Sequence, residues 1–162
     1  MQTLARIARL SGVSVQTEPR ISLGDRTDGQ FFFSSLTAHV DMCVVHPSAP
    51  SYLKMANRPL GAIFKRERDK NNLYLHSAQI LGALFFPLVF DTYGTFGPSA
   101  ISFISKLADE ATASAVSQLD DQPIKSYLHG SLSFMLQIGN ANILLSGSRL
   151  SRARVRNLIQ DL

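Results

Sequence analysis

Cysteine is nearly absent from this chain: Cys43 stands alone among 162 residues, so no disulfide can form within it and a reducing compartment is the simpler expectation. Long apolar runs are also missing. The longest, Ile80 to Phe90, has 11 residues and contains Gly82 and Pro87, well short of the roughly 20 needed to cross a bilayer. No basic stretch precedes a sustained apolar segment at the amino end, which leaves secretion without support. Neither a GxGxxG nor a GxxxxGK[ST] pattern occurs, so dinucleotide and P-loop chemistry lack their sequence signatures. His39, His46, His76 and His129 show no ligand spacing with Cys43, which speaks against zinc. Collagen-like, disulfide-rich, transmembrane and acidic disordered classes are thereby excluded.

What remains is 45% apolar and 17% charged, with a net charge of +4. A chain of about 150 residues buries roughly two-thirds of the surface it exposes when unfolded, enough for a core without disulfides or metal. We expect a single domain over residues 1–162, with a core over about 1–110 and a helical, basic extension over about 111–162. There is no internal repeat and no low-complexity linker.

The periodicity sets out the elements in order. Leu4, Ile7, Ala8 and Leu10 are spaced as on a short helix that stops at Ser11-Gly12. Val13, Val15 and Thr17 alternate with polar residues as in a strand ending near Pro19. The turn formers from Gly24 to Gly29 lead into the aromatic run Phe31 to Phe33, and Ser34-Ser35 closes a hairpin. The next strand, Thr37 to His46, places Ala38, Val40, Met42 and Val44 on one face and Thr37, His39, Asp41, Cys43 and Val45 on the other. Pro59 suits the first turn of a long helix over Leu60 to Ala78. The stretch 84–91 reads as a buried strand in which Pro87 argues for an edge or a bulge. Two helices follow, near 99–117 and 124–138, separated by an acidic turn at Asp120-Asp121, and Ile143 to Leu145 looks strand-like. Helix, three strands, long helix, strand and further helices make an α/β sandwich.

Asp41 is the most informative single residue. Strand interiors disfavour Asp, and a buried carboxylate is costly unless paired or bound to a cation. The plain alternative is an edge strand on which Asp41 faces water or caps an amide. Asp28, in the preceding turn, gains meaning from the hairpin, which brings it toward the middle of Asp41's strand. Two neighbouring carboxylates suit Mg²⁺, usually held by one or two carboxylates plus waters and phosphate oxygens.

On the long helix, Leu60, Ile63, Glu67, Lys70 and Tyr74 share an arc of roughly 80°, so two charges interrupt the sheet-facing side. Either Glu67 and Lys70 pair with each other along the helix, or Lys70 projects toward the Asp28/Asp41 cleft, where an ammonium could offset phosphorane charge. Lys65 and Arg66 on this helix, and Arg149, Arg152, Arg154 and Arg156 in the tail, are candidate nucleic-acid contacts. For the tail, a solvated helix face is the ordinary reading.

Together, Glu18-Pro19-Arg20-Ile21, Asp28, the stretch Val40 to Tyr52, Arg66-Glu67-Arg68-Asp69-Lys70, Tyr74 and the stretch Phe86 to Gly94 resemble one family over about residues 13–108. It is the restriction-endonuclease-like domain that follows reverse transcriptase in site-specific non-LTR retrotransposon proteins. The resemblance implies a PD-(D/E)xK nuclease core with C-terminal helical additions. It also implies Mg²⁺ (or Mn²⁺) as cofactor and DNA as partner, nicked so that its 3′ hydroxyl primes reverse transcription. Asp28 and Asp41 would be the metal ligands, Lys70 the displaced catalytic lysine and Glu67 a supporting polar residue of the site. RNA would be met through a longer parent polyprotein of which this chain is a part, with no membrane role and an intracellular location, nuclear in a eukaryote. The chain departs from the pattern at Thr27 (proline in the family), Gly29-Gln30 (an apolar pair), Cys43 (lysine in ordinary members) and Leu73 (a second lysine). The alternative is therefore a catalytically inactive nucleic-acid-binding or structural relic of the same fold.

The charge distribution favours nucleic acid as the partner. Residues 27–53 carry −2, from Asp28 and Asp41 alone, and residues 54–70, which contain Lys70, carry +4. Segments 1–26, 71–148 and 149–162 carry +2, −3 and +3. An acidic pair next to a basic helix suits a cation beside a phosphate.

Overall fold

The computed structural model describes residues 1–22, 25–55, 57–113 and 121–160, and the side chains among these except 121–124, 144 and 147–160. Its elements are α1 (Gln2–Leu10), β1 (Ser14–Thr17), β2 (Gly29–Phe32), β3 (Thr37–Val45), α2 (Gly61–Ile80), β4 (Leu84–Asp91), α3 (Pro98–Ala113) and α4 (Asp121–Gln160). A single-turn 3-10 helix, Leu53–Met55, precedes α2. The protein is thus a mixed α/β domain, with four helices and one four-stranded sheet among the described residues.

The strands lie in the order β1-β2-β3-β4. β1, β2 and β3 form antiparallel hairpins, and β3 and β4 run parallel because α2 carries the chain back between them. The β2–β3 turn closes as Phe33 donates to the Leu36 carbonyl at 2.9 Å. Glu110 of α3 clamps it, accepting from the Ser34 amide at 2.8 Å and the Ser34 hydroxyl at 3.0 Å. Pro87 sits on β4, an edge strand, where its missing N–H costs no ladder bond.

The alternation along β3 decides the two layers. Ala38 and Val40, with Phe86, Leu88 and Phe90 of β4, pack against α1, α3 and α4. Phe103 of α3 centres that core, its ring meeting Phe31 at 4.9 Å, Phe86 at 5.4 Å and Phe33 at 6.0 Å. On the opposite face Val45 and Val89 pack on Ala62 and Ile63 of α2, and Phe85 packs on Ala78.

Helix ends follow local chemistry. Gly12 (φ 80) and Gly82 (φ 66) take left-handed conformations that let Val13 and Ala83 donate back to the carbonyls of Ala8 and Ala78 at 2.9 and 3.0 Å. Pro59, expected in the first turn of α2, lies in the turn before it, because Leu60 is left-handed (φ 57) and delays the helix to Gly61.

The C-terminal region differs more. The helix expected near 99–117 is α3, described to Ala113, and the one expected near 124–138 belongs to a continuous helix of 40 residues. Ile143 to Leu145, expected to be strand-like, is helical within α4. A three-residue apolar run is compatible with either state, and among the described residues no strand pairs with it. Asp120 lies outside the described residues, while Asp121 opens α4. No helix among the described residues is long and apolar enough to cross a membrane.

Candidate active site

Gly29 of β2 pairs with Val40 of β3. One residue further along the same antiparallel register, Asp28 comes opposite Asp41. Asp41 is on the face that α2 covers, where Lys70 reaches it. The Asp28 carboxylate (Oδ2) accepts a 2.7 Å hydrogen bond from the Met42 amide, which holds it against β3 just before β2 begins. Asp41 is buried.

Lys70 of α2 supplies the countercharge: its ammonium forms a salt bridge with Asp41 Oδ2, and the two side chains are only 12% and 9% exposed. Tyr74, one turn on, places its ring 5.8 Å from the Lys70 nitrogen and packs on Phe85 at 5.5 Å. Burial pushes the Asp41 carboxyl above its ordinary range, and the neighbouring Asp28 charge adds to this. The hydrogen bond and charge of Lys70, and the charge of Arg66, pull it back.

Of the two partners open to Lys70, the structure selects Asp41. Glu67 turns instead to α3, where its Oε1 accepts from the Ser99 amide at 3.0 Å. A helix N-terminus, with free amides and the positive end of the dipole, suits a carboxylate. Burial nevertheless pushes Glu67 up, with the Ser99 amide opposing. Glu67, expected to support the site, is thus not brought to the acidic pair. It ties α2 to α3 across Gly97, where a Cβ would strike the Glu67 carboxylate and lie 2.9 Å from Ile63 Cγ2.

The remaining basic candidates divide. Lys65 is paired with Asp69 at 2.8 Å, and its nitrogen lies 5.8 Å from the Tyr52 ring. Arg66 forms no ion pair among the described residues, and burial pushes the Cys43 thiol up. Arg149, Arg152, Arg154 and Arg156 fall in the part of α4 whose side chains lie outside the described residues.

One feature was not read from the sequence as part of this site. Thr27, adjacent to Asp28, is buried and its hydroxyl sits 3.0 Å from Nδ1 of the fully buried His39. Strand alternation alone puts His39 on the Asp41 face, but nothing local pairs it with Thr27.

Among the described residues no group of three or more His, Cys, Asp and Glu side chains is arranged to hold a metal. Two oxygen-donor carboxylates on facing positions are nonetheless the set that Mg²⁺ uses when water and phosphate oxygens complete its shell. Asp28 and Asp41 fit that description, and a buried anion such as Asp41 gains from a nearby cation. A scan against protein-family models and a search of curated proteins find no match to this chain.

Proposed function

We propose that this protein is a metal-dependent DNA endonuclease domain of the restriction-endonuclease-like type, similar to the nuclease domain of site-specific non-LTR retrotransposon proteins. The observation that carries the reading is the reach of Lys70 from α2 to Asp41 on β3, beside Asp28. A carboxylate on β3 paired with a lysine from the following helix, beside a second carboxylate held on the same strand's backbone, is chemistry that phosphodiester hydrolysis can use. The order of helix, three strands, helix and parallel strand agrees with such a core.

Asp28 and Asp41 would hold Mg²⁺ or Mn²⁺, which when bound supplies water activation and neutralises charge on the phosphate. Lys70 opposes the effect of burial on Asp41 and so favours the ionised state a hard cation requires. Its ammonium also adds positive charge where a phosphate must approach. The Asp28–Met42 hydrogen bond fixes the second carboxylate to the backbone of the same strand, so both donors move as one unit.

Nicking of supercoiled plasmid in Mg²⁺ or Mn²⁺ tests the reading. Asp41→Ala is expected to lower the rate by at least about 100-fold, as for loss of a group acting directly on the reacting charge. Activity unchanged by this substitution overturns the assignment.

A second reading rests on the same geometry. Asp41 is satisfied by Lys70 and Asp28 by the Met42 amide, so the pair is compensated without a cation. A fold that had lost its chemistry but kept DNA binding would look like this. It predicts salt-dependent DNA binding that survives Asp28→Asn and Asp41→Asn together, with no nicking by the parent protein.

A further inference from the structure

We propose that the outer face of α4 is a self-association surface, on which a second copy of this chain lays its own α4 antiparallel across a two-fold axis level with Leu136. The proposal is independent of the nuclease reading above.

The helix is apolar on two sides. Its inner side, with Leu128, Leu132 and Leu136, closes the main core beside α3. A helix covered on one side ordinarily carries charge on the other. Here no Asp, Glu, Lys or Arg occurs between Lys125 and Arg149. The outer side holds instead Tyr127, Phe134, Ile138 and Leu145, which are 62%, 66%, 38% and 55% exposed. At 3.6 residues per turn these four, with Ser131 and Ala141 between them, share an arc of roughly 80°, centred about 140° round from the inner side. A continuous apolar stripe open to water marks an interaction site.

The order of residues along the stripe names the occupant. Their spacing alternates four and three, the 3.5-residue period that a second helix covers. The stripe is also symmetric about position 136: Tyr127 and Leu145, Ser131 and Ala141, and Phe134 and Ile138 stand at equal distances from it. A two-fold interface requires such a pattern, since a residue that meets another across the axis must be met by it in return. Antiparallel pairing sets Phe134 against the partner's Ile138 and Tyr127 against the partner's Leu145, with small Ser131 against the partner's Ala141 where the helices draw close.

Charge and area agree with this occupant. The helix opens on Asp121, and Arg149, Arg152, Arg154 and Arg156 follow the stripe. A parallel pair would gather both basic ends together, whereas an antiparallel one brings each to the acidic start of the other. At roughly 200 Å² for a fully open large side chain, the four exposures amount to on the order of 400 Å² per copy. With the smaller residues between them, two copies cover about 1,000 Å², the size at which a specific if weak interface is expected.

Sedimentation equilibrium of the whole chain provides the test, and a dimer with a dissociation constant on the order of 10 μM is expected. Phe134→Asp is expected to weaken it at least about 100-fold, because the change enters the interface twice. Ala141→Arg, which removes no packed side chain, is expected to do the same. Ile80→Asp, at an apolar residue of α2 that is 73% exposed and off the stripe, should leave the dimer intact. Circular dichroism establishes that each variant is folded. For direction, Phe134→Cys and Ile138→Cys proteins are oxidised separately and mixed, with the parent as background for Cys43. The mixture is expected to cross-link best, since only the mixed pair stands face to face. A parent that stays monomeric at about 100 μM, a dimer untouched by both stripe variants, or one lost equally with Ile80→Asp overturns the surface. Preferential cross-linking of each variant with itself overturns the antiparallel pairing.

Discussion

Lys70 and Asp41, 29 residues apart, form a salt bridge between the inner face of α2 and the middle of β3. Each side chain is about nine-tenths buried, so neither charge has water to fall back on. Function and stability therefore depend on the same contact.

Lys70→Met is expected to cost about 3 kcal/mol at neutral pH, because removing one partner leaves the other charge buried and unpaired. Asp41→Asn combined with Lys70→Met should cost clearly less than the two single changes added together, since the double variant buries no charge. Urea denaturation of the four proteins measures this; strictly additive losses would show that the pair is not coupled.

His39 gives a pH dependence of definite sign. Burial lowers its pKa from the ordinary 6.5, so the unfolded chain takes up the proton before the folded one does. Its contribution is complete above 6.5 and is lost as pH falls through the lower native value. Asp41 and Glu67, both raised, act oppositely: their contributions are full below the ordinary 3.8 and 4.5 and are lost as pH rises through the native values. Comparing urea midpoints of the parent and His39→Gln between about pH 8 and about pH 5 isolates the histidine. The parent is expected to lose stability faster than the variant on acidification, and parallel curves would refute this.

Gly97→Ala should destabilise the protein by about 1–3 kcal/mol through overpacking. The added methyl would meet the Glu67 carboxylate, Ile63 Cγ2 at 2.9 Å and the Val89 carbonyl at 3.0 Å. Ile63 is fully buried and the carbonyl belongs to β4, so neither neighbour can yield cheaply. Chemical denaturation checks this, and a loss under about 0.5 kcal/mol, the range of ordinary surface changes, would contradict it.

Much of the architecture was legible in local pattern. The period of two along Thr37–Val45 assigned Ala38 and Val40 to one layer and Asp41 and Cys43 to the other, as the packing bears out. Helical spacing likewise put Glu67, Lys70 and Tyr74 on the inner side of α2. The tail was misread at Ile143 to Leu145, because three apolar residues carry no period long enough to distinguish strand from helix.

The sequence by itself determined which residues share a face, since that depends only on backbone geometry repeating every two or every 3.6 residues. It could not determine whom they meet. Lys70 had Glu67 one turn away and Asp41 far along the chain, and local spacing favoured neither. Tertiary structure decided, because the amide at the start of α3 claims Glu67 and the crossing of α2 over β3 carries Lys70 to Asp41. Countercharge in a buried layer goes to whichever group the packing of the elements leaves beside it, and that packing is written in contacts between distant parts of the chain.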